Sequence, residues 1–185
     1  MIELILEEAE EKMGNALTAL EREFGRIRTG RASPNLLEGI TVEYYGSMVP
    51  IRQVANISVP EPRLLVVQPW DRNALPAIEK SINKSELGLN PMNDGVVIRL
   101  PIPALTEERR KDLVKIVRRL AEENRVSVRN ARRQEIDEMR KLQKSGDITE
   151  DDLHRGMDKI QELTDSFIEK IDDFLKGKEE EIMEV

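Results

Sequence analysis

Six arginines, Arg118, Arg125, Arg129, Arg132, Arg133 and Arg140, stand close together in a chain whose net charge is -7. At about 100° per residue, all six fall within roughly 60° of Arg118 if the segment is helical. They then form a band along one side for about 33 Å. No lysine occurs from 116 to 140, although lysine would solubilise a helix equally well. The planar arginine fork suits paired hydrogen bonds to phosphate and stacking on bases. A charged outer face is the default for any amphipathic helix, and a solvated face is the plain alternative. An arginine stripe in an acidic protein instead suits RNA or another polyanion. Aromatics make up only 3% of the chain, so contact with backbone shape is expected rather than stacking on single strands.

Other chemistry finds little material. The chain has no cysteine and a single histidine, His154, which removes thiolate catalysis, disulfides and cysteine-based zinc sites. Asp71, Glu79, Asp94, Tyr44 and Tyr45 could in principle do acid–base work. No metal-ligand cluster, phosphate-binding glycine loop or nucleophile motif accompanies them. Asp71 reads more simply as a helix cap and Asn93-Asp94-Gly95 as a turn. His154 is expected to face solvent, and Trp70, after Pro69, to pack. The expectation is a protein that is no enzyme, holds no metal or cofactor and takes no small-molecule substrate.

Charge is segregated along the chain. Residues 1–29 carry net -3 and residues 30–105 net 0, whereas 106–145 carry +5 and 146–185 carry -9. One positive segment is thus hidden within an acidic whole. No run of about 18 apolar residues could span a membrane, and the acidic, amphipathic start is unlike a secretory signal. A soluble cytoplasmic protein is expected.

The elements that must carry the arginines follow from periodicity. Ile2, Ile5, Leu6, Ala9, Met13, Ala16, Leu17, Leu20, Phe24 and Ile27 form one helical stripe, which Gly30 and Pro34 stop. All nine prolines then fall within 30–105, with β-rich runs at 40–45, 54–59, 64–68 and 96–100. Between the last two, Asp71 precedes Leu75, Ile78 and Ile82 at helical spacing. From Thr106 a helix should run to Lys144, with Leu113, Val117, Leu120, Val128, Ala131, Met139 and Leu142 on its core side and Asn124 and Glu135 as polar interruptions. Ser145-Gly146-Asp147 breaks it, and Thr149 with Asp152 resembles a capping box. The last helix repeats Leu153, Met157, Ile160, Thr164, Phe167, Ile171 and Phe174, a heptad seam. Three such helices must share one core, because none can bury its stripe alone. The fold class is therefore α+β: a long three-helix antiparallel bundle from 1–29 and 106–185, with a small β/α/β domain, 30–105, inserted. The bundle should be monomeric, and its acidic last helix should face away from RNA.

Five segments, RTGRASPNLL (28–37), VEYYG (42–46), LGLNP (87–91), LTEERRKDLVK (105–115) and VRNARR (128–133), together resemble the bacterial ribosome recycling factor family. The resemblance covers essentially the whole chain. It implies an L-shaped outline similar to transfer RNA, with the small domain joined through a two-strand hinge at Gly30-Arg31 and Pro103-Ala104, near 30–31 and 102–105. It implies a translation factor that acts with elongation factor G and GTP to split post-termination ribosomes into subunits. The bundle would lie on large-subunit ribosomal RNA, and the small domain would be pushed by the elongation factor. Arg110, Arg129, Arg132 and Arg133 match the family's arginines, Arg132 carrying most weight. With the helical band they make a candidate RNA-binding set of Arg110, Arg118, Arg125, Arg129, Arg132 and Arg133. The rival reading is a coiled-coil adaptor whose arginines pair with an acidic partner protein.

Overall fold

The computed structural model describes residues 1–184 and divides into two units, 1–27 with 108–185 and, separately, 28–107. The first unit holds three long helices. Helix α1 spans Ile2–Gly25, and two further helices span Glu107–Lys144 and Glu150–Met183. These are α3 and α4 in chain order. The fold class is α+β, as the periodicities require.

Helix α1 ends at Gly25, five residues before the expected stop. Arg26 closes it, its N–H donating to the Glu23 carbonyl while the Ile27 N–H donates to that of Phe24. Ile5, Ala9, Met13, Leu20 and Phe24 are its buried positions. Helix α3 buries Leu113, Val117, Ala121, Val128, Ala131, Glu135 and Met139, while Leu120 and Leu142 lie at the margin. Its end is followed by Gly146 at φ +81, the left-handed conformation that glycine tolerates without a Cβ clash. The Thr149 hydroxyl accepts from the Asp152 N–H at 3.0 Å, and the Asp152 carboxylate accepts from the Thr149 N–H at 3.1 Å. The expected capping box of α4 is thus complete. Gly156 lets α4 approach α3 closely: a Cβ there would lie 2.8 Å from the Met139 sulfur.

Two polar contacts tie α1 to α3 inside the bundle. Lys12 Nζ donates to Glu135, whose side chain is only 1% exposed. Asn124 Nδ2 donates to the Ala16 carbonyl at 2.7 Å. The polar interruptions of the α3 stripe are therefore partnered across the bundle. Apolar stripes alone tolerate sliding by a turn; these contacts favour one register.

The second unit is built on an antiparallel sheet and a helix. Strands β1 (Thr41–Tyr44) and β2 (Ser47–Pro50) form a hairpin, with Tyr44 opposite Ser47. Its two-residue turn, Tyr45-Gly46, has φ +49 and +79, both in the left-handed region that matches strand twist. Strand β2 has little buried surface and a terminal proline, so it leaves no alternating pattern to read. Strands β3 (Ala55–Glu61), β4 (Leu64–Pro69), β5 (Met92–Asn93) and β6 (Ile98–Pro101) form a sheet in the order β3-β4-β6-β5. Helix α2 (Leu75–Lys84) buries Leu75, Ile78 and Ile82. These join Leu37, Val42, Ile51, Leu65, Val67, Ile98 and Leu100 in one core. Each such side chain, fully buried, contributes roughly 1.5–3 kcal/mol.

Asn93-Asp94-Gly95 is a turn, as expected. The Asp94 carboxylate accepts from the Val96 and Val97 N–H groups at 2.9 and 2.8 Å and pairs with Arg99. The two backbone N–H groups, then Arg99, hold its pKa down at about 2. A carboxyl depressed in the folded state stabilises above its unfolded pKa of about 3.9, and that contribution is lost as pH falls through the folded value. Acid unfolding of the β-rich unit should therefore steepen between about pH 4 and pH 2. In Asp94→Asn that component should flatten, read by circular dichroism of the acid transition; an unchanged profile would show that the turn contributes nothing there.

Candidate nucleic-acid interface

Helix α3 carries the arginines in two rows. The outer row is Arg129, Arg133 and Arg140, all exposed. No described carboxylate pairs with Arg133, while Arg140 lies 3.7 Å from Asp137 and Arg129 3.4 Å from Glu122. The inner row is Arg118, Arg125 and Arg132, and it lies against α4. Arg118 Nε donates to Glu179 at 2.6 Å. Arg125 donates from Nε to Asp172 at 2.9 Å and from Nη1 to Glu122 at 2.9 Å. Arg132 Nη1 donates to Gln161 Oε1 at 2.7 Å.

This corrects the picture of a band standing clear of an acidic last helix. The α3 core stripe faces both α1 and α4, so α4 occupies the flank on which the inner arginines lie. Arg125 is accordingly only 18% exposed. Charge segregation along the chain is partly cancelled in space, because the most acidic helix packs beside the most basic one.

Glu122 sits between Arg125 and Arg129. The Arg125 hydrogen bond and the charges of both arginines hold its carboxyl below the usual glutamate range, against some desolvation. Burial lowers the pKa of Arg125, but Asp172 and Glu122 together raise it above the usual arginine value, and Glu179 raises that of Arg118. Arg110 lies apart from both rows, roughly 80° round the helix from Arg118. It is half-buried, and its Nε has no partner among the described residues. The Nε of Arg132 is likewise buried without a partner.

In the second unit both crossings leave from one turn. The Ala32 N–H donates to Pro62 O at 2.7 Å, and the Ile102 N–H to Arg63 O at 2.8 Å. Gly30 has φ +78, and a Cβ there would touch the Leu105 side chain at 3.4 Å. Pro103 and Ala104 are exposed. His154 is exposed, as expected, but so is Trp70, at 68%. Trp70 continues the outward-facing positions of β4, whose buried residues are Leu65, Val67 and Pro69. Asp71 caps the 3-10 turn Arg72–Ala74 that leads into α2, and not α2 itself, accepting from the Asn73 N–H at 2.9 Å, and it also accepts from the Tyr44 and Tyr45 hydroxyls at 3.1 and 3.3 Å. No sequence signal marks that hairpin anchor, because only folding brings 44–45 beside 71. Among the described residues no group of histidines, cysteines and carboxylates could hold a metal ion, and no helix is long and apolar enough to cross a membrane.

A family model described as ribosome recycling factor matches residues 20–183. The chain belongs to the ribosome recycling factor family. The ribosome-recycling factor of Carboxydothermus hydrogenoformans is 55% identical over 185 residues, covering 100% of both chains. That of Nitratidesulfovibrio vulgaris is 54% identical, over 100% of this chain and 99% of its own. A solution structure of the ribosome recycling factor matches with a TM-score of 0.80 at 47% identity, covering 100% of this chain and 98% of its own. A second solved chain, 48% identical, with a TM-score of 0.69 and full coverage of both, is a T. thermophilus ribosome recycling factor described with E. coli elongation factor G bound to the E. coli post-termination complex. Membership in the ribosome recycling factor family confirms the resemblance carried by the five sequence segments.

Proposed function

We propose that this protein recycles ribosomes: with elongation factor G and GTP, it splits the post-termination ribosome into subunits for reuse. The observation that carries the reading is the full-length match to ribosome-recycling factors at 54–55% identity. In this reading the chain is a translation factor without catalysis of its own, and the nucleotide hydrolysis belongs to its partner. It works as a monomer in the cytoplasm.

The helical domain, 1–29 with 106–185, docks on large-subunit ribosomal RNA. Its arginines supply the phosphate contacts, and Arg129, Arg132 and Arg133 are the central ones. They cluster within about one turn of α3. Arg133 is unpaired among the described residues, Arg129 has one long contact, and Arg132 has only a neutral amide partner. The inserted domain, 30–105, receives the push of elongation factor G. Gly30-Arg31 and Pro103-Ala104 form the hinge, a reading supported by the left-handed glycine and by the pinning of Ala32 and Ile102 to adjacent turn carbonyls. That pinning confines backbone rotation to the residues outside it.

Subunit splitting tests this directly. Purified post-termination ribosomes, elongation factor G and GTP are mixed with the protein and followed by light scattering. The scattering should fall on addition of the factor. No fall, in a mixture that a control recycling factor does split, would sink the reading.

A further inference from the structure

The inner arginine row has a regularity that phosphate binding does not require. Arg118, Arg125 and Arg132 recur every seven residues on α3, and Glu179, Asp172 and Asp165 recur every seven in the opposite direction on α4. Antiparallel packing sets these opposite one another as rungs. The first two rungs are closed ion pairs, Arg118–Glu179 and Arg125–Asp172, at 2.6 and 2.7 Å. The third is open. Arg132 donates instead to Gln161 Oε1 at 2.7 Å, and Gln161 Nε2 donates to Asp165 at 2.8 Å. A neutral amide thus stands between the third arginine and its carboxylate.

From this ladder we infer that Asp172 and Glu179 are intramolecular phosphate surrogates, specificity-determining residues that occupy Arg125 and Arg118 and restrict RNA binding to Arg132 and its outward neighbours. The inference rests on the RNA-docking reading above. A phosphate reaching Arg125 must displace a carboxylate already hydrogen-bonded to it, and the exchange releases little net counterion. A phosphate reaching Arg132 displaces only an amide. The ladder therefore suppresses binding to arbitrary RNA, whose pose is free to use any available arginine. It has less effect on a shaped surface that already engages Arg129, Arg132 and Arg133.

The test measures binding of the full chain to a 20-base-pair RNA duplex of arbitrary sequence, and to purified large subunits, over a range of salt. Asp172→Asn with Glu179→Gln should tighten duplex binding by about three- to thirtyfold, the range for removing one ion-pair partner from each of Arg118 and Arg125. The salt dependence should steepen by up to about two units of slope. Glu162→Gln with Glu180→Gln makes the same charge change at exposed α4 positions that face no arginine. It should move duplex binding by much less. Equal shifts in the two double variants would reduce the effect to net charge and overturn the ladder, as would no shift in either.

Gln161→Glu tests the open rung from the other side, because it removes no arginine. It should weaken large-subunit binding about two- to fivefold by closing the rung on Arg132. Unchanged binding, with circular dichroism showing a folded variant, would also overturn the inference. Wild-type binding to large subunits reports separately on the RNA reading. Its absence overturns both, whereas wild-type binding with an unresponsive ladder overturns only this one.

Discussion

Arg132→Ala is expected to weaken large-subunit docking about ten- to a hundredfold and to slow subunit splitting in proportion at limiting factor. The magnitude follows from one hydrogen bond to a charged group, roughly 1.5–3 kcal/mol. Folding should hardly notice. Within the protein Arg132 makes one side-chain hydrogen bond, to an exposed glutamine, and its Nε has no partner to lose. Helix content by circular dichroism should therefore match wild type, with a change in stability below about 1 kcal/mol. The salt dependence of binding should flatten by about one unit, as expected for a single lost phosphate contact. Arg125→Ala offers a contrast, because its guanidinium already serves Asp172 and Glu122. It should cost less in docking and more in bundle stability. If Arg132→Ala splits ribosomes at the wild-type rate, the arginine face is a solvated helix side and docking lies elsewhere.

Lys12→Met should produce the largest loss of stability of the substitutions considered. Glu135 has 1% of its side chain exposed, Oε1 is held by Lys12, and Oε2 has no partner among the described residues. Removing Lys12 leaves a buried carboxylate uncompensated, which costs about 3–5 kcal/mol in comparable cases. The lower end, about 3 kcal/mol, is expected because Lys12 is itself 45% exposed and water can reach the vacated space. The raised pKa of Lys12, due first to its hydrogen bond with Glu135 against some desolvation, points to the same partnership.

Urea midpoints measured at pH 7.5 should show the deficit of Lys12→Met directly. Lys12→Met combined with Glu135→Leu should recover most of it, because a well-packed apolar pair can replace a buried ion pair. Equal midpoints for Lys12→Met and wild type at pH 7.5 would show that the buried pair does not stabilise the register.

Much of the architecture was legible because it is periodic. The α3 and α4 stripes, the break at Ser145-Gly146-Asp147 and the Thr149–Asp152 capping box depend on spacings of three, four and seven residues, which local chemistry enforces. The early end of α1 was less visible. Ile27 continues the apolar spacing past Gly25, which masks the local stop signal that this glycine, directly after the buried Phe24, supplies. Strands β2 and β5 carry no sequence signal for a different reason: their exposed or very short runs show no alternation. A strand is defined by its cross-strand partner, and Met92–Asn93 qualifies as one only through its pairing with Ile98 and Arg99.

The candidate site divides along the same line. The sequence by itself determined that six arginines share one side of a long helix, because helical geometry places residues by number alone. It determined as well that the chain resembles ribosome recycling factors, through segments readable in order. Only the tertiary structure decided which arginines are occupied. Helices α3 and α4 are each periodic, but the rotation of one about its axis relative to the other is set by side-chain packing across the core, including the close approach of Gly156 to Met139. That rotation brings Asp172 and Glu179 onto Arg125 and Arg118, puts Gln161 between Arg132 and Asp165, and leaves Arg133 facing water.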